Sequence, residues 1–214
     1  TTIVWAVSAM CIISTLNGFT YKVPDKIKKV LFSGEVMPIK HLNIWRNYLP
    51  DTMFVNFYGP TEITCNCTYY IVDREFQPGD VLPMGKAFPN EKVFLLDEED
   101  HLVTEKGVNG EICVAGSALA LGYYRNPEQT RKAFVQNPLN NRYLEPVYRT
   151  GDLAFYNERG ELCFATRKDF QIKHMGHRIE LGEIETAMDK IPEIRRSLCI
   201  YDQPKNKIVA FYEG

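Results

Sequence analysis

Residues 53–62 read MFVNFYGPTE and carry the clearest structural signal in this 214-residue chain. The short apolar run Met53–Phe57 is followed at once by a Gly-Pro turn, which is typical of a buried strand that ends in a tight bend. The bend presents an aromatic ring, a hydroxyl and a carboxylate from Tyr58, Thr61 and Glu62. Because strands covered on both faces are apolar throughout, the run predicts a strand of a parallel sheet.

The residues before this strand extend the same pattern. Ile3–Val7 and Lys29–Phe32 are short apolar runs, and Pro38–Tyr48 carries apolar residues at helical spacing. The order strand, helix, strand predicts part of a parallel α/β layer, which we assign to residues 1–91. We expect this layer to be incomplete, since its pattern starts partway through such a domain.

The residues after 91 have shorter strands and more turns, which predicts a β-rich, barrel-like subdomain over residues 92–166. Asn126 and Pro127 are typical of the cap and first position of a short helix within it. The predicted strands are Lys92–Leu96, Gly110–Ala115, Tyr148–Tyr156 and Glu161–Ala165.

Residues 167–214 change pattern again, and we assign them to a hinge and the start of a small α+β C-terminal subdomain. A hairpin is expected around His174–His177, followed by a helix over Leu181–Ile191 that Pro192 ends. Two further strands are expected at Ser197–Tyr201 and Ile208–Tyr212. The predicted fold class of the whole chain is α/β.

Composition argues against several classes of partner. With 25 basic and 27 acidic residues the net charge is -2, which gives no general attraction to nucleic acid or anionic lipid. The most apolar stretch, Ile3–Ile13, is shorter than the roughly 18 residues of a membrane span and lacks the basic leader of a signal peptide. We therefore expect no nucleic-acid partner and no membrane association.

The six cysteines show no metal-binding spacing, and a chain of this length needs no disulfides to fold. Reduced thiols and a cytoplasmic location are the expectation. Cys65 and Cys67 lie in a strand-like run, so they are predicted to share one face as small buried side chains.

The bend after Phe57 has the residue types of a nucleotide site. Tyr58 offers a flat face to a base, Thr61 can hydrogen-bond a phosphate oxygen, and Glu62 is a hard oxygen ligand for Mg²⁺. Gly59 allows close approach of the backbone to a ligand. An ordinary turn with a capping threonine is the alternative for this pattern.

A second candidate is Asp152 in Tyr148–Leu153, because an acid after a glycine turn can accept hydrogen bonds from both hydroxyls of a ribose. An aspartate that only stabilises the turn is the alternative. Arg167–Lys173 carries three cations around one acid at the point where the sequence pattern changes. A charged linker between subdomains is the simplest explanation for this cluster. The sequence has no interpretable catalytic triad and no G-x-x-x-x-G-K-[ST] loop, so it favours neither a hydrolase nor a P-loop nucleotidase.

Four motifs in succession resemble those of the adenylate-forming enzymes, in particular the amino-acid-activating branch of nonribosomal peptide synthetase adenylation domains and D-alanine:carrier-protein ligases. The motifs are Asn56–Glu62, Gly110–Gly116 with Gly122–Tyr124, Tyr148–Leu153 and Arg167–Glu185. The resemblance implies a two-step ligase. ATP and a carboxylic acid give an acyl-adenylate and pyrophosphate, and the phosphopantetheine thiol of a peptidyl or acyl carrier protein then displaces AMP to give a thioester.

The resemblance also implies roles for individual residues. Thr61 and Glu62 would be the catalytic positions, with Glu62 holding Mg²⁺. The ATP or AMP site would consist of Gly34, Glu35, Tyr58, Thr61, Asp152 and Arg167. The pocket for an amino acid or small carboxylic acid would be lined by Ser33, Phe57, Gly59, Cys65 and Asn66, with bulky Phe57 favouring a small or flat substrate. Asp169 would be the hinge of the C-terminal subdomain, and Gly176 would lie beside the path of the thiol.

The chain also departs from the family pattern. Thr166 stands where the family usually has glycine, and the upstream phosphate loop, the aspartate that binds the substrate ammonium and the C-terminal lysine are missing. We therefore expect a fragment of a ligase that is inactive alone. A naturally truncated, non-catalytic nucleotide-binding or interaction module is one alternative, and a fragment of an acyl-CoA ligase is the other. An incomplete sheet would leave strand edges exposed, through which a homodimer could form.

Overall fold

A computed structural model describes residues 1–168, 171–174, 177–188, 190–202, 205 and 207–214. The chain divides into two compact units, residues 1–168 and residues 169–214. None of the described helices combines the length and the apolar character that a membrane crossing requires.

The first sheet is a five-stranded layer in which strands adjacent in sequence are adjacent in space. β1, β2 and β3 run parallel, whereas β4 and β5 are antiparallel to their neighbours. The strands are β1 (Thr2–Ala6), β2 (Lys29–Ser33), β3 (Met53–Tyr58), β4 (Thr68–Ile71) and β5 (Lys86–Ala87). The predicted partial parallel layer is therefore confirmed.

Two helices accompany this sheet, α1 (Val7–Thr15) and α2 (Ile39–Tyr48), together with short 3₁₀ turns at Gly18–Thr20 and Thr61–Ile63. Trp45 of α2 is fully buried, and its indole N–H donates to the Met10 carbonyl oxygen of α1 at 3.0 Å. The sequence analysis missed α1. Its residues continue the apolar run of β1 without a polar side-chain cap at Ala6, so no boundary between strand and helix is visible in the sequence.

The second sheet is the β-rich half-barrel, and its strands lie in the order β11-β10-β8-β6-β7, with β9 paired to β10. The strands are β6 (Glu91–Leu96), β7 (Leu102–Val103), β8 (Gly110–Gly116), β9 (Phe134–Gln136), β10 (Pro146–Tyr156) and β11 (Leu162–Arg167). The predicted short helix is α3 (Pro127–Ala133), and the Asn126 side chain caps it by accepting from the Gln129 N–H at 3.0 Å.

The second unit contains a hairpin of β12 (Gln171–His174) and β13 (His177–Glu180), helix α4 (Leu181–Met188), and a second antiparallel pair, β14 (Arg196–Asp202) and β15 (Lys207–Glu213). The Glu185 carboxylate of α4 accepts the Cys199 N–H of β14 at 2.7 Å, which fixes the helix on the strand pair. The predicted small α+β subdomain is confirmed, although Ile191 lies in a turn after the helix. The three-part division at residues 91 and 166 remains a prediction.

The prediction for Cys65 and Cys67 is wrong. Both residues precede β4 and lie in a bend, not in a strand. Cys65 has φ +87° and is exposed, whereas Cys67 is completely buried. Because Thr64 also has a positive φ, the chain reverses direction here and turns the two thiols to different environments.

A bidentate ion pair joins the loop between β4 and β5 to the residue that precedes β11. The two terminal nitrogens of Arg74 donate to the two carboxylate oxygens of Glu161 at 2.7 and 2.6 Å. These charge-assisted hydrogen bonds hold the pKa of Glu161 below its usual range. The pair ties residues far apart in sequence, so it contributes directly to the packing of the first unit.

We expect Glu161→Gln to lower the free energy of unfolding by about 1–2 kcal/mol at pH 7, because the substitution removes the charge that Arg74 binds. Since the folded-state pKa of Glu161 is depressed, this contribution is complete above the unfolded-state pKa near 4.5 and is lost as pH falls through the folded value. Urea denaturation of both proteins between pH 3 and pH 7 measures the difference. Glu158→Gln, at an exposed carboxylate in the neighbouring turn, serves as the control and should change little. A constant difference across this pH range would contradict the prediction.

Candidate active site

The candidate site is built on the bend that follows β3. Gly59 packs directly against the returning chain, because a Cβ there would lie 2.5 Å from Asn66 Cα and 2.6 Å from the Cys65 carbonyl oxygen. The Cys67 N–H donates to the Tyr58 carbonyl oxygen at 2.8 Å and closes the bend. Only glycine fits this contact, so the turn and residues 65–67 form one rigid piece of backbone.

Asp152 reaches this bend from the second sheet. The Tyr58 hydroxyl donates to Asp152 Oδ2 at 2.6 Å, across 94 residues of sequence. Arg167, the cross-strand neighbour of Asp152, donates to Oδ1 of the same carboxylate. Burial, followed by the nearby Asp152 charge, raises the pKa of Tyr58 well above its ordinary value, which keeps its hydroxyl protonated as a donor. The structure therefore brings together three of the residues predicted from separate motifs.

Glu62 lies one short turn further along. Its carboxylate is buried and accepts the Tyr123 hydroxyl at 2.7 Å, while its carbonyl oxygen accepts the Ala120 N–H at 2.8 Å. Thr61, beside it, is exposed. A carboxylate oxygen is a ligand of the kind that Mg²⁺ requires, and the adjacent hydroxyl can donate a hydrogen bond to a phosphate oxygen, so the two residues fit both groups.

The predicted substrate residues lie at the carboxyl ends of the neighbouring strands β2 and β3. Phe32 pairs with Asn56 in the parallel register, which places half-buried Ser33 next to Phe57. The Asn66 side-chain oxygen is buried and has no hydrogen-bond partner among the described residues. Of the remaining predicted residues, Gly34 and Cys65 are exposed and Glu35 is half-buried. Asp169 and Gly176 lie outside the described residues.

Two side chains that contact the site were not singled out by sequence reasoning. Tyr123 binds Glu62, and the Glu111 carboxylate accepts the N–H of Gly151 beside Asp152 at 3.1 Å. The available signal for Glu111 was a single carboxylate inside the otherwise apolar strand β8. Tyr123 has no comparable signal, because its partner is 61 residues away in sequence.

The fold matches that of adenylation-domain structures. A solved structure described as holo-PA1221, an NRPS protein containing adenylation and PCP domains bound to a vinylsulfonamide inhibitor, superimposes with a TM-score of 0.88 at 29% identity, covering 99% of this chain and 36% of that one. Residues 1–124 match the family model described as AMP-binding enzyme. The chain belongs to this family.

Curated relatives support the same conclusion. Gramicidin S synthase 2 of Brevibacillus brevis is 35% identical over 205 residues, which are 96% of this chain and 4% of that protein. Zwittermicin A synthase ZmaJ of Bacillus cereus is 37% identical over 206 residues, which are 93% of this chain and 38% of that protein. The chain thus spans well under half the length of each of these relatives.

We expect Tyr123→Phe to lower the free energy of unfolding by about 1–2 kcal/mol, because the buried Glu62 carboxylate loses a donor while the ring is kept. Urea denaturation measures the effect. The matched control is Tyr124→Phe at the next residue, where an exposed ring should tolerate the change within about 0.5 kcal/mol. Equal effects of the two substitutions would show that the hydroxyl does not support Glu62.

Proposed function

We propose that this chain is part of an ATP-dependent ligase that adenylates an amino acid and passes it to the phosphopantetheine thiol of a carrier protein. The observation that carries the proposal is the hydrogen bond between Tyr58 and Asp152, which brings the end of β3 to the middle of β10. Membership in the AMP-binding enzyme family and the similarity to peptide synthases support it. The similarity to those synthases also favours this reading over an acyl-CoA ligase.

In this proposal Asp152 binds the ribose. Each carboxylate oxygen has two acceptor positions, and the donors Tyr58 and Arg167 take one on each oxygen. Capacity therefore remains on both oxygens for the two ribose hydroxyls. The ring of Tyr58 lies beside this carboxylate and offers its face to the adenine, with Gly34 and Glu35 completing the site.

The phosphate end of the nucleotide would lie at Thr61 and Glu62. The Thr61 hydroxyl would donate to an α-phosphate oxygen, and the Glu62 carboxylate, oriented by Tyr123, would hold Mg²⁺. The metal, when bound, neutralises the charge that develops on the phosphate oxygens. The substrate carboxylate attacks the α-phosphorus, the bond to the bridging oxygen breaks, and pyrophosphate leaves with that electron pair.

The substrate pocket in this proposal consists of Ser33, Phe57, Gly59, Cys65 and Asn66. Phe57 occupies space beside the reacting centre and favours a small or flat side chain. The buried, unpartnered oxygen of Asn66 supplies an acceptor for a polar hydrogen of the substrate, since leaving such an atom without a partner is costly.

The second half-reaction needs a carrier protein. Holo-PA1221 is described as containing both adenylation and PCP domains, which supports a carrier partner for this chain. Roles for Asp169 as the hinge and Gly176 beside the thiol path belong to this proposal. A cytoplasmic location, suggested by the cysteines, and a homodimer through strand edges stay predictions.

The proposal is tested at Asp152. We expect Asp152→Asn to weaken AMP binding about tenfold, because the amide keeps the shape but cannot accept from two ribose hydroxyls while accommodating Tyr58 and Arg167. Isothermal titration calorimetry on the full-length protein gives the AMP affinities. Asp51→Asn, in the exposed turn that precedes β3 and so at the opposite end of that strand from Tyr58, is the control. Unchanged AMP affinity in Asp152→Asn would refute the ribose role.

Residues 1–214 by themselves should give no amino-acid-dependent exchange of pyrophosphate into ATP. Positioning and electrostatic stabilisation each supply several kcal/mol to such a reaction, and the missing phosphate loop and lysine are expected to provide much of both. The measurement is radiolabelled pyrophosphate exchange with the purified polypeptide and a mixture of amino acids. Exchange above the enzyme-free blank would favour a self-sufficient enzyme over the proposed fragment.

A further inference from the structure

Asp152 owes its direction to an irregularity in β10. This strand pairs with β8 in two registers, with Arg149 opposite Cys113 on one side and Leu153 opposite Glu111 on the other. Residues 150–152 therefore stand opposite the single residue 112, which makes a bulge with two extra residues. Gly151 has φ +71° within it. Bulges redirect side chains at functional sites, and this one turns Asp152 toward Tyr58.

The bulge removes backbone groups from the regular ladder, so they need other partners. The Asp152 N–H donates to the Thr150 hydroxyl oxygen at 3.0 Å, and that hydroxyl donates to the Ile112 carbonyl oxygen at 2.8 Å. The Gly151 carbonyl oxygen accepts the Lys168 N–H at 2.7 Å. The Gly151 N–H is bound by a side chain from the opposite strand, Glu111 Oε1, at 3.1 Å.

Glu111 is itself held firmly. Its Oε2 accepts from Arg149 Nε at 3.1 Å and from Arg149 Nη2 at 2.8 Å, and the Lys168 ammonium lies 3.7 Å away. A further nitrogen of Arg149 donates to Asp100 at 2.6 Å. The Glu111 carboxylate is buried, with one oxygen engaged by the cation and the other supporting the bulge. It therefore replaces the ladder partner that the extra residues displace.

We propose that Glu111 is a positioning residue for nucleotide recognition, which holds the bulge in the shape that points Asp152 at the ribose. The inference rests on the proposed ribose role of Asp152. Glu111 acts through the Gly151 peptide, since its described contacts are with Gly151, Arg149 and Lys168. Removal of the Glu111 carboxylate changes the direction of the Asp152 side chain, although Asp152 itself is still present.

The test compares AMP with 2′,3′-dideoxy-AMP, which lacks both ribose hydroxyls. Calorimetry on the full-length protein gives the dissociation constants of the two nucleotides. The preference ratio is the dissociation constant of 2′,3′-dideoxy-AMP divided by that of AMP. We expect the unsubstituted protein to prefer AMP, and Glu111→Ala to reduce the ratio about three- to tenfold, mainly through weaker AMP binding. If Glu111 only stabilises the fold, its substitution would weaken the binding of both nucleotides equally and leave the ratio unchanged.

Three further variants sharpen the result. Glu111→Gln keeps an oxygen that can accept from Gly151, so it should retain more of the ratio than Glu111→Ala. Glu111→Asp keeps the charge but has a side chain one methylene shorter, so it should lower the preference ratio. It also replaces Glu111→Ala in the test if circular dichroism shows that Glu111→Ala does not fold. Glu161→Gln breaks another Arg–Glu pair of the first unit and should keep the full ratio.

Each outcome decides between the hypotheses. If the unsubstituted protein shows no preference for AMP, the ribose role of Asp152 is wrong and the positioning role is wrong with it. A second outcome is that the unsubstituted protein prefers AMP while Glu111→Asp and any folded Glu111→Ala protein keep the same preference ratio. In that case only the positioning role is overturned. A fall in ratio in Glu161→Gln equal to that in the Glu111 variants would also overturn it, because general loss of stability would then explain the effect.

Discussion

The hydrogen bond from the Tyr58 hydroxyl to Asp152 is the constraint on which the candidate site depends. It joins the carboxyl end of β3 in the first sheet to the bulge of β10 in the second, and Arg167 completes the contact from the neighbouring strand. A buried carboxylate is costly without a hydrogen-bond partner, and the hydroxyl of half-buried Tyr58 supplies one to Asp152. The two sheets of the first unit therefore meet at a fixed distance at this point.

Several backbone groups around this contact leave the regular ladder, and side chains bind them instead. Thr150 and Glu111 do this for the bulge of β10. The Thr64 hydroxyl does it for the loop after β8, by donating to the Ala118 carbonyl oxygen at 2.7 Å. These hydrogen bonds restrict the movement of the irregular segments, which suits residues that face a ligand at fixed distances.

Much of this arrangement follows from local sequence pattern. The apolar runs predicted β2, β3 and α2, and Asn126 with Pro127 predicted α3, because strand burial and helix capping are local effects. The meeting of Tyr58 with Asp152 came from the family resemblance, since nothing local relates residues 94 apart. The bend at Cys65 was missed because its positive φ is imposed by the contact of residues 65–67 with Gly59. Tyr123 was missed for the same kind of reason, since its partner is distant.

The close packing at Gly59 also limits how such a site can change during evolution. A Cβ on Gly59 would collide with the backbone of residues 65–67, so an insertion or deletion in that loop would displace the turn that carries Thr61 and Glu62. The Cys65 side chain is exposed, so residues that tolerate its positive φ can replace it without loss of packing. In the proposed ligase, a change in the acid that is accepted should therefore proceed by point substitution on a loop of constant length, with the nucleotide end left undisturbed.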